Sequence, residues 1–318
     1  MDPVTHTLIG IGMANAFFRR RIGKEAVPVL AIASNLPDVD AIVHLTGDPT
    51  AILMRRTFGH SIFMFPIWSL VFALVLRRFY PRLSLGTLFG LSLLGATVHV
   101  FFDLVNSFGV VLLWPFSDWR PELAIVFIID LLLTGLLVAP LLLCLFQRMR
   151  PFLILFSRAS MACVAAYLIF CGANRILAQQ ALEAEAVRLH LHPDFSYVFP
   201  EPLGPQRWKG VLREQDLYRL YLIHSLWKRV ELIDEVRTEI DDPVVKHVRA
   251  TALAHRLEWF FKAAVWKVQN APINDAATVI VYDLRFRSVV IDRGTPFVYR
   301  FLIGENGRVK LCSASIPC

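Results

Sequence analysis

The chain has 318 residues, 56% of them hydrophobic, and a net charge of +7, with a mean hydropathy of +0.53. That excludes an ordinary soluble domain and points to a polytopic membrane protein. Of the charged residues, 13 Lys/Arg and 9 Asp/Glu precede residue 175, and 20 and 17 lie from it onward; with no basic tail, a nucleic-acid partner is not expected. The same change in composition divides the chain. Residues 1–175 read as a transmembrane helical domain, 176–205 as a helical extension and linker, and 206–318 as a small soluble α+β domain with an antiparallel sheet.

In chain order, five to six hydrophobic segments are expected to form a membrane α-helical bundle. Residues 5–18 are apolar but short for a span, and Met1-Asp2-Pro3 offers no basic leader, so no cleaved signal peptide is expected. Residues 26–45 are apolar except for Asn35 and Leu36-Pro37-Asp38-Val39-Asp40. A third segment runs from His60 to about Leu76, and a fourth over 85–105 carries His99 and Asp103. A fifth over 122–146 holds Asp130, and a sixth covers 152–173. The connections at 19–24, 77–82 and 148–158 hold ten Lys/Arg, against Arg55, Arg56 and Arg120 in the opposite set. The positive-inside rule then places both termini outside the cytoplasm and makes the C-terminal domain periplasmic. Trp114 and Trp119 suit an interfacial aromatic belt.

With that orientation, His6, Asp38, Asp40, His60, His99, Asp103 and Asp130 fall in the outer half of five segments. His99 and Asp103, four apart, share one helix face. Ionisable groups at membrane depth are expensive and usually face a protein interior or a wet cavity. Imidazole and carboxylate donors without a thiolate suit zinc, with manganese or iron as alternatives, and argue against a purely structural zinc. Seven candidate ligands imply two ions, or one ion with orienting residues and a general base, for which Asp130 and Asp40 are the candidates. The expected chemistry is hydrolysis, by a metal-bound hydroxide, of a lipid or other membrane-accessible ester or phosphoester. Two rivals remain at this point. One is an ion- or proton-translocating transporter, which would need polar residues at several depths. The other is a non-enzymatic scaffold with a structural metal and a partner-binding periplasmic domain.

Six pieces in this order form a specific signature: Met1-Asp2-Pro3-Val4-Thr5-His6-Thr7, Leu36-Pro37-Asp38-Val39-Asp40, Gly59-His60-Ser61, His99-Val100-Phe101-Phe102-Asp103, Leu113-Trp114-Pro115-Phe116-Ser117 and Phe127-Ile128-Ile129-Asp130. They resemble the YdjM-type family of bacterial inner-membrane metal-dependent hydrolases. Pro205-Gln206-Arg207-Trp208 and Val281-Tyr282-Asp283-Leu284-Arg285-Phe286 resemble its longer members. The resemblance implies a helical membrane domain distantly similar to zinc-dependent phospholipase C, and carries the same seven His and Asp over as metal-site residues. One departure stands out. Where the family has His-Arg-Gly, this chain has Arg55-Arg56-Thr57, so a ligand is lost if that His was one. The Arg pair offers bidentate phosphate binding instead.

In the soluble part, Leu217–Leu226, Arg229–Ile240, Ala277–Val290 and Pro296–Ile303 read as strands, with Glu305-Asn306-Gly307 turning into Arg308–Cys312. Asp242-Pro243 starts a helix expected to reach about Trp266. There is no catalytic triad, phosphate loop or dinucleotide fingerprint there, and His190, His192, His224, His247 and His255 read as structural or solvated. Cys144, Cys163 and Cys171 read as inert small hydrophobes. Cys312 and Cys318 would suit a disulfide loop outside the cytoplasm.

Overall fold

The first helix, α1 (Pro3–Met13), starts where Asp2 accepts a hydrogen bond from the Thr5 N–H at 3.0 Å, with Pro3 opening the first turn. A single π turn, Ala14–Phe18, follows. Helix α2 (Ala26–Ala33) gives way to a 3₁₀ stretch, Leu36–Thr46, that holds both aspartates of the Leu-Pro-Asp-Val-Asp motif. Two further 3₁₀ turns, Ala51–Met54 and Phe58–His60, lead to α3 (Phe65–Arg77). Helix α4 (Leu85–Leu104) is capped by Ser84, α5 (Leu131–Leu143) by Asp130, and α6 runs unbroken from Leu153 to Arg188. The computed structural model describes residues 1–46, 48, 50–202, 204–270, 277–291, 294–295, 297–304 and 307–312.

Two of these helical stretches, Leu85–Leu104 and Gln147–Arg188, are long and apolar enough to cross a membrane. The number rises to four if Ala26–Ala33 with Leu36–Thr46, bent by 42°, and Ala51–His60 with Phe65–Arg77, bent by 77°, each count as one broken span. The expected five to six segments are thus not all matched by helices of span length. Helix α1 has 11 residues and α5 has 13, short of the ~20 that a ~30 Å hydrocarbon layer requires at ~1.5 Å per residue. The fifth segment begins at Leu131 rather than 122 because Asp130 turns its carboxylate onto the Leu133 N–H at 2.9 Å and starts the helix there.

Contacts divide the chain into two units, one mainly Met1–Thr46 with Met54–Ala173, the other mainly Asn174–Pro202 with the chain from Gln206 onward. The second unit has two four-stranded antiparallel sheets, in the orders β1-β2-β3-β4 and β5-β6-β7-β8. The strands are β1 (Phe195–Pro200), β2 (Arg207–Glu214), β3 (Leu217–His224), β4 (Arg229–Arg237), β5 (Ala264–Asn270), β6 (Ala277–Asp283), β7 (Tyr299–Ile303) and β8 (Val309–Cys312). Alternation along the first sheet buries both of its faces. Val198, Trp208, Leu212, Tyr221 and Ile223 pack on Ala178, Leu182 and Ala186 of α6. Phe199, Val211, Tyr218, Leu220 and Val236 pack on Ala263, Val265 and Leu284.

Three expectations change here. Residues 195–200 are a strand, not part of a linker; β1 is the edge of its sheet, and an edge strand tolerates Pro200. The helix expected to reach Trp266 is two short ones, α7 (Pro243–Arg249) and α8 (Ala252–Phe260). Thr251 caps the second of these with its hydroxyl, and Trp266 sits in β5. The strand expected to run to Val290 stops at Asp283, whose carboxylate accepts the N–H groups of Lys262, Ala263 and Arg285 and turns the chain. β7 and β8 do pair antiparallel, while Glu305, Asn306 and Cys318 lie outside the described residues.

Lys209 on β2 is 2% exposed. Its ammonium donates to the carbonyls of Arg285 and Arg287 and lies 3.7 Å from Glu201. Burial lowers its pKa to about 8 from an ordinary 10.5, with Glu201 and Asp283 pulling the other way. Between those two values the unfolded chain binds more protons than the folded one, so this lysine makes stability rise with pH across that window. Lys209→Met is expected to flatten the rise, as read from denaturant midpoints of wild type and variant at matched pH.

Candidate metal centre

Four elements of the first unit bring the polar side chains together. Helix α1 supplies His6, the 3₁₀ stretch supplies Asp38 and Asp40, the Phe58–His60 turn supplies His60, and one face of α4 supplies His99 and Asp103. Close backbone approach makes this possible at two glycines. A Cβ on Gly95 would lie 2.6 Å from the Ala33 side chain, so α4 touches α2 there. One turn later the His99 ring reaches the Ser34 carbonyl. A Cβ on Gly59 would collide with the Pro37 carbonyl oxygen, so the turn carrying His60 lies flat on the stretch carrying Asp40.

The hydrogen bonds fix the imidazole tautomers. His99 Nδ1 is 2.6 Å from the Ser34 carbonyl oxygen, which can only accept, so Nδ1 carries the proton. His60 Nδ1 is 2.9 Å from Asp40 Oδ2 and donates to that carboxylate, which also accepts the Thr57 N–H at 3.0 Å. In the neutral rings both Nε2 atoms then present lone pairs inward, and they face each other at 3.1 Å. Asp103 Oδ2 lies 3.1 Å from His60 Nε2 and 3.6 Å from His99 Nε2. Asp103 Oδ1 lies 3.2 Å from His6 Nε2. The His6 ring stacks on His99 at 3.7 Å, and its Nδ1 is buried without a hydrogen-bond partner among the described residues.

The imidazole and carboxylate donors stand at separations that could suit a divalent ion. Donors ~2.0–2.1 Å from a tetrahedral zinc stand about 3.3–3.4 Å from one another, and the separations of 3.1, 3.1, 3.2 and 3.6 Å fall around that value. Two overlapping donor sets could hold an ion: His6, His99 and Asp103, or Asp38, His60 and His99. They share His99, whose Nδ1 is committed to Ser34, so its Nε2 can serve a single ion.

The seven expected residues therefore take different places. His6, His60, His99 and Asp103 converge, and Asp38 stands at the rim with its Oδ1 4.0 Å from His99 Nε2. Asp40 is completely buried behind His60 and orients it. Asp130 is in neither donor set. It caps α5 and accepts the Tyr167 hydroxyl at 2.7 Å, which ties α5 to α6.

The two arginines separate rather than forming a pair for one phosphate. Arg55 donates to Asp38 Oδ1 at 3.0 Å at the rim, where its side chain is 31% exposed and that of Asp38 is 18%. Arg56 turns inward on a left-handed backbone, φ 58°. Its Nε lies 2.8 Å from Asp103 Oδ2, its Nη1 donates to Asn106 Oδ1 at 2.9 Å, and its guanidinium lies over Phe108. The Met1 amino group also contacts Asp103 Oδ1. Ser34, Asn106 and this inward use of Arg56 are not legible in the sequence. Ser34 acts through its backbone carbonyl, which any residue would supply, and Arg56 depends on a backbone conformation that its residue type does not signal.

A family model described as YdjM inner membrane protein matches residues 1–177, more than half of the chain and all of the elements that build this cluster. The chain belongs to the YdjM inner membrane protein family. Within the YdjM match fall His6, Asp38, Asp40, His60, His99, Asp103 and Asp130. A relative in Bacillus subtilis (strain 168), the uncharacterized protein YfhP, is 32% identical over 124 residues, 37% of this chain and 38% of that protein. The alignment thus spans well under half the length of the curated relative. No solved structure matches.

Proposed function

We propose that this YdjM family protein is an integral inner-membrane, metal-dependent hydrolase acting on a lipid or other membrane-accessible ester or phosphoester. The observation that carries the reading is the pair of inward Nε2 lone pairs at 3.1 Å, each fixed from behind by an acceptor. Two such nitrogens repel unless a proton or a metal ion lies between them, and a metal ion would engage both lone pairs at once. His6, His60, His99 and Asp103 would hold one divalent ion, most simply zinc. That ion would supply Lewis acidity towards a carbonyl or phosphoryl oxygen and would acidify water.

The chain's own groups have separable duties in this reading. Asp40 and the Ser34 carbonyl hold the two rings in register, and Arg56 holds Asp103. Asp38, the part-exposed carboxylate beside His99, takes the base role that the sequence left between Asp40 and Asp130. Arg55 stands beside it to receive an anionic group of the substrate. The loop charges favour a periplasmic C-terminal unit, open to a protein partner; a reporter fused after Cys318 tests this, and activity in the cytoplasm would refute it.

Asp40→Asn is expected to weaken metal binding by roughly 10–100-fold, as carboxylates behind a ligating histidine do when altered. Competition titration with a chromogenic chelator reads this directly. For the function itself, purified protein in mixed micelles is offered ester- and phosphodiester-labelled lipids with and without a chelator. Turnover should vanish with the chelator, return with zinc or manganese, and be absent in His99→Ala. Turnover that survives both treatments would remove the proposal.

A further inference from the structure

Asn174 marks where the apolar run of α6 ends; Arg175 follows it, and the helix then turns charged and polar. Its Oδ1 accepts the Ser225 hydroxyl at 2.7 Å, and both residues are 1% exposed. The Ser225 backbone N–H also donates to the Gln206 carbonyl at 3.1 Å. These bonds hold the β3–β4 connection, a 3₁₀ turn over Ser225–Trp227, level with the point where the helix leaves its apolar stretch. Lys228 closes the turn in the left-handed conformation, φ 49°.

The composition of this turn is unusual for a soluble surface. Leu226 is 48% exposed and Trp227 is 68% exposed, next to one another. Lys228 and Arg229 follow, both exposed; Arg229 pairs with Glu231, while Lys228 makes no ion pair among the described residues. An exposed indole and leucine would lose water-ordering surface by burial, and adjacent cations gain from negative headgroups. Tryptophan with basic neighbours is the composition of a membrane–water interface.

We propose that the β3–β4 turn docks on the surface of the bilayer that α6 enters, with Leu226 and Trp227 seated among the headgroups and Lys228 and Arg229 on anionic lipid. The proposal rests on α6 as a span, for which its length and apolarity qualify it. It does not depend on the metal centre. The anchor would set the height of the second unit at the membrane through its own surface, in addition to the helix.

The test uses the full chain in nanodiscs whose lipids carry bromine near the headgroup end of the acyl chain. The Trp227 signal is the difference between wild type and Trp227→Phe, a conservative change at an exposed position. That signal is expected to be blue-shifted and quenched about twofold or more when phosphatidylglycerol is present. Lys228→Glu with Arg229→Glu should lower the quenching to the level found in pure phosphatidylcholine. A Trp227 signal typical of water and unquenched overturns the proposal, as does quenching that is the same with and without anionic lipid. Release of the whole protein from vesicles by alkaline carbonate would instead overturn the spanning role of α6 on which the proposal rests.

Discussion

Replacing Asp103 with alanine is expected to destabilise the membrane unit by about 3–5 kcal/mol, the usual cost of leaving a buried charge without its partner. Asp103 is 1% exposed and Arg56 6%, and a carboxylate oxygen of Asp103 lies 2.8 Å from Arg56 Nε. Asn106 Oδ1 would still accept from Nη1, but it carries no charge. The same substitution removes the oxygens that lie beside His6 Nε2 and His60 Nε2. Asp103→Asn keeps the shape and an acceptor for Arg56, so it should retain more of the stability while weakening metal binding. Thermal unfolding in detergent, followed by near-UV dichroism, separates these effects. The double variant Asp103→Ala with Arg56→Met should unfold at a higher temperature than Asp103→Ala alone, because the Arg56 guanidinium is then no longer stranded, although the Met1 amino group still lacks the carboxylate it contacts. A double variant no better than the single one would show that the ion pair does not set the cost.

The second large effect is expected at Asp283. Its carboxylate accepts the Lys262, Ala263 and Arg285 N–H groups at 3.0, 3.1 and 2.8 Å and pairs with Arg285 Nε at 3.1 Å. Arg285 lies over Phe260 and Phe286, at 4.9 and 4.5 Å from the ring centroids, and donates to the Phe260 carbonyl at 2.7 Å. One fully buried carboxylate thus ends β6, closes the turn into β5 and neutralises the guanidinium on which two aromatic rings rest. Asp283→Ala should cost about 3–5 kcal/mol. Asp283→Asn, which retains acceptors for the backbone, should cost less. Urea unfolding of the full-length protein, monitored by hydrogen exchange in residues 262–285, measures both. Equal and small losses in the two variants would assign the stability of this corner to the aromatic packing alone.

How much of this was legible in the sequence depended on how local the determinant is. His99 and Asp103 could be placed on one face because helical periodicity alone puts residues four apart in register. His6, Asp38 and His60 could be assigned to the same region from the order of apolar segments, since each opens or closes one. Asp130 followed the same rule and yet stands in neither donor set, because a carboxylate at the start of a helix has a competing local use as a cap. The apolar runs around Asp38 and His60 read as continuous spans, but the chain breaks into 3₁₀ turns there, where close approach at Gly59 sets the backbone. In the second unit, β1 and β2 were hidden by the prolines between them and by Gly210. That glycine is required by packing, since a Cβ would lie 2.7 Å from Leu182 of α6, and nothing near it in the sequence reveals the helix it meets.

The convergence of His6, His60, His99 and Asp103 on one cation is tested most directly by elemental analysis of the full-length protein purified without affinity-metal resin, beside His99→Ala and Asp103→Asn. The wild type should carry a transition metal, zinc foremost, in a ratio near one per chain, and both variants should have lost most of it while retaining their helical dichroism. Equal metal content in all three folded proteins, or none in any after growth and purification with added zinc, would contradict it.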